Sequence, residues 1–116
     1  MRILRLIALL GLLAAAVPAL AHHGWGNYDA SQTLTLSGVI KDTAFDSAHS
    51  TIMLEVPGKT WTVILAPPSR MQSRGVPREL LTKGKTVSVV GYPHRTDQKE
   101  MRAERITVDG KTAELR

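Results

Sequence analysis

The 116-residue chain contains no cysteine. That removes any disulfide, any thiolate metal ligand and any lipid-modified cysteine anchor, so a domain made from this chain must rely on its own core. A glycine-rich phosphate loop and a dinucleotide fingerprint are also missing. Ser69 lacks the Gly-x-Ser-x-Gly turn that exposes a nucleophile. Asp42, Asp46 and Asp97 fall in loops, with no pair that the sequence sets at a working distance for acid–base chemistry. An enzyme is therefore not expected. The stretch from Ile3 to Val17, apolar apart from Arg5, is short of the roughly 20 residues that span a bilayer, which argues against a membrane-spanning helix.

That run reads instead as a removable export signal. Arg2 and Arg5 make the start basic, the apolar stretch follows, and Pro18 precedes Ala19-Leu20-Ala21, small residues where a signal peptidase reads. A cut after Ala21 makes residues 1–21 the signal peptide and His22 the first residue of a 95-residue mature chain; a cut after Ala19 would make His22 the third residue. Loss of Arg2 and Arg5 lowers the formal charge from +5 to +3. A mildly basic, exported chain is not expected to meet nucleic acid, and weak attraction to anionic surface polymers is the most its charge supports. The expected location is periplasmic or secreted, free and soluble, with no anchor after cleavage.

The mature chain divides into a leader, 22–32, and a domain, 33–116. In "TLTLSGVIKD" (33–42) Leu34 and Leu36 alternate with Thr before Gly38 interrupts, as at a bulge or sharp bend. "TIMLEV" (51–56) and "TWTVILA" (60–66) alternate cleanly around Pro57-Gly58-Lys59 and predict a hairpin, with Ile52, Leu54, Val56, Trp61, Val63 and Leu65 inward. "PPSRMQSRG" (67–75) reads as a short helix opened by proline and stopped by Gly75, and "PRELL" (77–81) as a further turn. "GKTVSVVGY" (84–92) and "MRAERITV" (101–108) are the fourth and fifth strands, and Asp109-Gly110 turns the chain into "KTAEL". Three strands, a short helix and two strands predict an all-β domain with one short helix: a small five-stranded OB-like Greek-key barrel.

Several strings resemble an uncharacterised family of small exported bacterial proteins, domain of unknown function six-one-five-two. They are "AHHGWGNYD", "SAHSTIMLEV", "WTVILAPPSRMQSRG", "KGKTVSVVGYP" and "MRAERITVDGK". The resemblance covers essentially the whole mature chain and implies export and a small β-domain, without an activity. Family members tend to carry Asn-Pro-His where this chain has Ser47-Ala48-His49, so the histidine is kept and its turn-setting proline is lost.

In the barrel reading His49 lies in the loop between the first two strands and His94 in the loop between the fourth and fifth, the two loops that flank the ligand face of OB barrels. The leader should start near the His94 loop, because the first strand pairs with the fourth. An N-terminal His22 can chelate copper through its amine and one ring nitrogen, with His23, His49 and His94 as further imidazoles; these donors suit Cu(II) or Zn. Met101 is either a soft ligand for Cu(I) or a core residue, the second fitting its place at the head of a strand. Trp25 and Tyr28, flanked by Gly24 and Gly26, form either a stacking platform for a ligand or partner, or a strap over an open barrel edge. Arg70, Arg74 and Arg78 recur at steps of four and could grip a phosphate or carboxylate on one helix face. Gly75 and Pro77 interrupt that helix, so a solvated basic face is the plainer reading. Arg102, Glu104 and Arg105 read as cross-strand ion pairs. The function expected is an exported binding or accessory module of the bacterial envelope, with copper as its candidate ligand; the alternative is a metal-free domain that docks on another envelope protein.

Overall fold

A computed structural model describes residues 24–116; the expected signal peptide, His22 and His23 lie outside the described residues. The strands are β1 (Leu34–Phe45), β2 (Ser50–Val56), β3 (Lys59–Ile64), β4 (Thr86–Pro93), β5 (Glu100–Val108) and β6 (Lys111–Glu114), with one helix, α1 (Pro68–Ser73), between β3 and β4. They pair in the order β3-β2-β1-β4-β5-β6, and a parallel β3–β5 contact joins the ends so that β1 to β5 close into a barrel. None of the described helices is long and apolar enough to cross a membrane.

Closure depends on two places where backbones cross too closely for any side chain. β1 serves both halves of the barrel: Val39 is paired with Glu55 of β2 on one side and Thr86 of β4 on the other. A Cβ on Gly38 would lie 2.3 Å from the Glu55 carbonyl oxygen, so glycine is required where β2 passes. The register shift itself falls between Ile40 and Asp42, slightly beyond the glycine that announced it. A Cβ on Gly91 would lie 1.9 Å from the Arg102 carbonyl oxygen, beside the β4–β5 register shift at Val90/Gly91.

The alternation read from the sequence fills the interior. Ile52, Leu54, Val63, Leu65, Val87, Val89, Met101 and Ile106 are all buried, whereas Val56 and Trp61 are partly buried at the periphery. Each buried aliphatic side chain stabilises the fold by roughly 1.5–3 kcal/mol relative to exposure. The segment after β3 seals the barrel with Met71, Val76 and Leu81. α1 is shorter than the 67–75 stretch suggested, because its last turn closes as a Schellman motif. Gly75, at φ 89°, donates to the Gln72 carbonyl and Val76 donates to the Met71 carbonyl.

β6 extends the sheet beyond the five barrel strands. A strand has two edges, and β5 gives one to β4 and shares the other between β3 (at 100–102) and β6 (at 105–108). The C-terminal residues thus fill the seam that β3 leaves, continuing to a Leu115 amide bond with the Glu104 carbonyl. The arginines of the 70–78 row are exposed, as the solvated basic face requires, and each also has a local partner. Arg70 donates to the Leu115 carbonyl at 3.3 Å and Arg74 to the Glu114 carbonyl at 2.8 Å, covering the edge of β6, and the Arg78 guanidinium lies 4.5 Å from the Phe45 ring centre.

Gly91→Ala should destabilise the domain by about 2 kcal/mol or more, since the clash is with backbone, and urea denaturation measures it. Ser50 is fully buried and its hydroxyl has no hydrogen-bond partner. Ser50→Ala should therefore leave stability unchanged or raise it by up to about 1 kcal/mol in the same assay.

Candidate binding cleft between the first loop and the leader

The leader is a strap. A 3₁₀ turn over Trp25–Asn27 is closed by the Tyr28 amide donating to the Trp25 carbonyl at 3.0 Å. Tyr28 then pairs antiparallel with His94, flanked by bonds from the Asp29 amide to the Pro93 carbonyl and from the Arg95 amide to the Asn27 carbonyl, each 2.8 Å. The leader therefore lies against the β4–β5 loop, as the strand pairing implied. Asp29 fixes the next turn by accepting from the Ser31 hydroxyl, the Gln32 side-chain amide and the Ser31 backbone amide. Those donors, the Ser31 hydroxyl foremost, hold its carboxyl at about 2.

Two aromatic rings lock the strap. Tyr28 is buried and meets the His94 ring edge-on, 5.2 Å between centres. Its hydroxyl donates to the Glu100 carboxylate at the start of β5. Burial first, and then Glu100, push the phenol well above its usual range, so it stays a donor at any pH the protein meets. Trp25 is half-buried: the guanidinium carbons of Arg102 and Arg116 lie 4.5 and 4.6 Å from its ring centre, and Tyr92 approaches edge-on at 6.1 Å. Glu104 ties this cluster together by accepting from Tyr92 at 2.9 Å and pairing with Arg116 at 3.3 Å. Arg105 pairs with Glu114 on β6. The ion pairs expected on this face thus form for Glu104 and Arg105, whereas Arg102 serves the aromatic strap and an adjoining cleft.

That cleft, about 290 Å³, opens between the strap and the β1–β2 loop. The strap contributes Gly24, Asn27 and Tyr28, the loop contributes Asp46 and His49, and β5 contributes Glu100 and Arg102. The loop is set by Asp46, whose carboxylate accepts the amides of Ala48 and His49, both at 2.8 Å, while the Asp46 amide donates to the His49 carbonyl. The His49 amide and then that of Ala48 draw the carboxyl below its usual range. Asp46 thus does the turn-setting work of the missing proline. The cue was an aspartate ahead of a short polar loop, the Asx-turn signal.

Of the four histidines, His22 and His23 lie outside the described residues, and the two described ones line different clefts. His49 lines the 290 Å³ cleft, while His94 lines another of about 510 Å³, together with Asp29, Lys59 and Arg95. The His94 Nδ1 also accepts the backbone amides of Thr96, at 3.2 Å, and Asp97, at 3.0 Å. Two amide hydrogens aimed at Nδ1 need a lone pair there, which leaves the proton of the neutral ring on Nε2. His94 is a loop staple, and neither nitrogen is set to receive a metal. Met101 is fully buried, as its core reading required, and Arg70 sits at the β6 edge, away from the lining of either cleft. No group of three or more His, Asp or Glu side chains that could hold a metal occurs among the described residues.

A family of unknown function, DUF6152, matches residues 9–103. The chain belongs to that family. No curated protein matches the DUF6152 chain in sequence. Solved structures that share its fold include several that are remote in sequence. The S. pombe Stn1–Ten1 complex aligns with TM-score 0.53 and 15% identity over 66% of this chain and 57% of that one. Asparaginyl-tRNA synthetase from Pyrococcus horikoshii gives 0.53 and 12% over 71% of this chain, and aspartyl-tRNA synthetase from Entamoeba histolytica gives 0.53 and 13% over 75%. The DUF6152 chain spans only 20% of either synthetase. These likenesses establish the OB fold, in agreement with the expected barrel, and carry no function across.

Tyr28→Phe removes the donor from a partly buried carboxylate and should cost about 1.5–3 kcal/mol of stability, read as a lower thermal midpoint. The local readout is faster hydrogen exchange at the amides of Asp29 and Arg95, which join the strap to the β4–β5 loop.

Proposed function

We propose that this DUF6152 protein is an exported binding module of the cell envelope, free of catalytic activity, that takes up Cu(II) at the N-terminus of its mature chain. The basic start, apolar stretch and Ala19-Leu20-Ala21 support export and a cut before His22. A free His22 would offer an amine and an imidazole that close a chelate on one copper ion, donors that match the tetragonal preference of Cu(II). The observation that carries the proposal is that Gly24, two residues beyond His22, lines a polar cleft and belongs to a strap fixed by Tyr28 and Trp25. A chelate two residues from a fixed strap would lose less entropy on binding than one on a free chain.

Metal-free docking on another envelope protein through Trp25 and Tyr28 has less support. Tyr28 is buried and Trp25 is already packed against two guanidiniums, so both rings are used within the domain.

The test begins with the intact mass of the exported protein, which should correspond to a chain starting at His22. That protein should bind one equivalent of Cu(II) in a competition titration. A form with one glycine inserted between Ala21 and His22 should bind at least tenfold more weakly, because the amine no longer sits beside the imidazole. Equal affinity of the two forms would reject the chelate.

A further inference from the structure

We infer that the 510 Å³ cleft bounded by the leader, the β4–β5 loop and the β2–β3 hairpin is a second binding site, which takes one carboxylate carried on a hydroxylated ligand, an acidic sugar. It uses none of the groups of the copper chelate, so it stands or falls separately from that proposal.

Charge selects the ligand. The described ionised groups lining the cleft are Lys59, Arg95 and Asp29, a formal balance of one positive charge with His94 neutral. Asp29 is spoken for: both its oxygens accept from Ser31 and Gln32, and its carboxyl, held at about 2, stays ionised. Neither Lys59 nor Arg95 forms an ion pair among the described residues, although Arg95 is near enough to lower the Asp29 carboxyl through space. One carboxylate balances this cleft. A phosphate monoester, at about −1.5 to −2 charges, would exceed it.

The cationic side chains are fixed at their roots and open at their ends. The Arg95 Nε donates to the Gly26 carbonyl at 3.1 Å, and its backbone amide donates to the Asn27 carbonyl at 2.8 Å. Its two Nη groups have no partner among the described residues, and a pair of parallel N–H groups matches the two oxygens of a carboxylate. Lys59 opens β3 directly after the Gly58 turn, with its ammonium 3.7 Å from the Trp61 ring centre. His94, whose Nδ1 is taken by the amides of Thr96 and Asp97, keeps its Nε2 proton as a neutral donor.

Size and lining then favour a sugar. The cleft lies within the roughly 300–1,000 Å³ of small-molecule sites and exceeds what a bare ion fills. Among its described residues no Trp, Tyr or Phe ring offers a face on which a nucleobase or an uncharged sugar could stack. Gln32 and Gln98 add side-chain amides, which both donate and accept, as sugar hydroxyls do. The carboxylate supplies the attraction and the hydroxyls supply the fit.

The experiment uses protein expressed from the full-length gene and purified without added copper. It is titrated calorimetrically with trigalacturonate in dilute salt, where exposed charges are least screened, and the contact is mapped by amide NMR shifts. One equivalent should bind, with shifts centred on residues 29–32, Lys59 and 93–98. Lys59→Gln, which removes a side chain with no hydrogen bond in the fold, should weaken binding at least tenfold. Arg95→Lys, which keeps the charge and loses the fork, should weaken it about threefold or more. Lys111→Gln removes the same charge from β6, away from either cleft, and should leave affinity within twofold. The uncharged methyl ester of trigalacturonate should bind at least tenfold more weakly than the acid, and inorganic phosphate more weakly still. Absence of saturable binding, equal binding of acid and ester, or equal losses in Lys59→Gln and Lys111→Gln would each overturn the site. Phosphate binding as tightly as trigalacturonate would overturn the acidic sugar as its ligand.

Discussion

The architecture depends on two backbone crossings that admit no side chain. At Gly38 the carbonyl of Glu55 occupies the space of a Cβ, and at Gly91 the carbonyl of Arg102 does the same. The first crossing lets β1 turn from its pairing with β4 to its pairing with β2 without a break in the ladder. The second lets β4 and β5 shift register, so that the head of β5 remains beside β3 and closes the barrel. The strap and its cleft use the head of β5. Glu100 receives the Tyr28 hydroxyl, Arg102 lies over Trp25, and both line the cleft beside His49.

A barrel of this size has little interior to spare, and the chain supplements it at both ends. The C-terminal strand fills the seam that β3 leaves along β5, and Arg70 of α1 and Arg74 just after it donate to the Leu115 and Glu114 carbonyls. The leader lies against the β4–β5 loop and buries a tyrosine there. With no cysteine in the sequence, these closures are all non-covalent. Because the strap is part of the folded domain, Gly24 has a defined place, in the wall of a polar cleft.

Much of the fold was legible in the sequence because strands write their burial in a period of two. Ile52, Leu54, Val63, Leu65, Val87 and Val89 were assigned inward from alternation and are buried. Gly75 and Asp109-Gly110 marked their turns through positive φ, at 89° for Gly75 and at 52° and 77° for the pair. The site was less legible. The arginines at 70, 74 and 78 are on the surface as read, but the sequence did not show that they reach a β-edge and an aromatic ring once the six-residue helix ends. Gly91 gave no distinctive signal, because a bulge that depends on a partner strand leaves no trace in local alternation.

The sequence by itself determined the class of the domain, the order of its strands, the inward faces and the lack of covalent crosslinks, since each of these follows from side-chain periodicity, turn chemistry or composition. Only the tertiary structure decided which histidines share a cleft. His49 and His94 sit in the two loops expected to face a ligand, but Tyr28 packs on one and lines the cleft of the other, and Thr96 and Asp97 turn the His94 ring to a structural bond. Such choices depend on distances between residues dozens of positions apart and on which lone pair a neighbouring amide claims, and neither quantity is encoded in any local pattern.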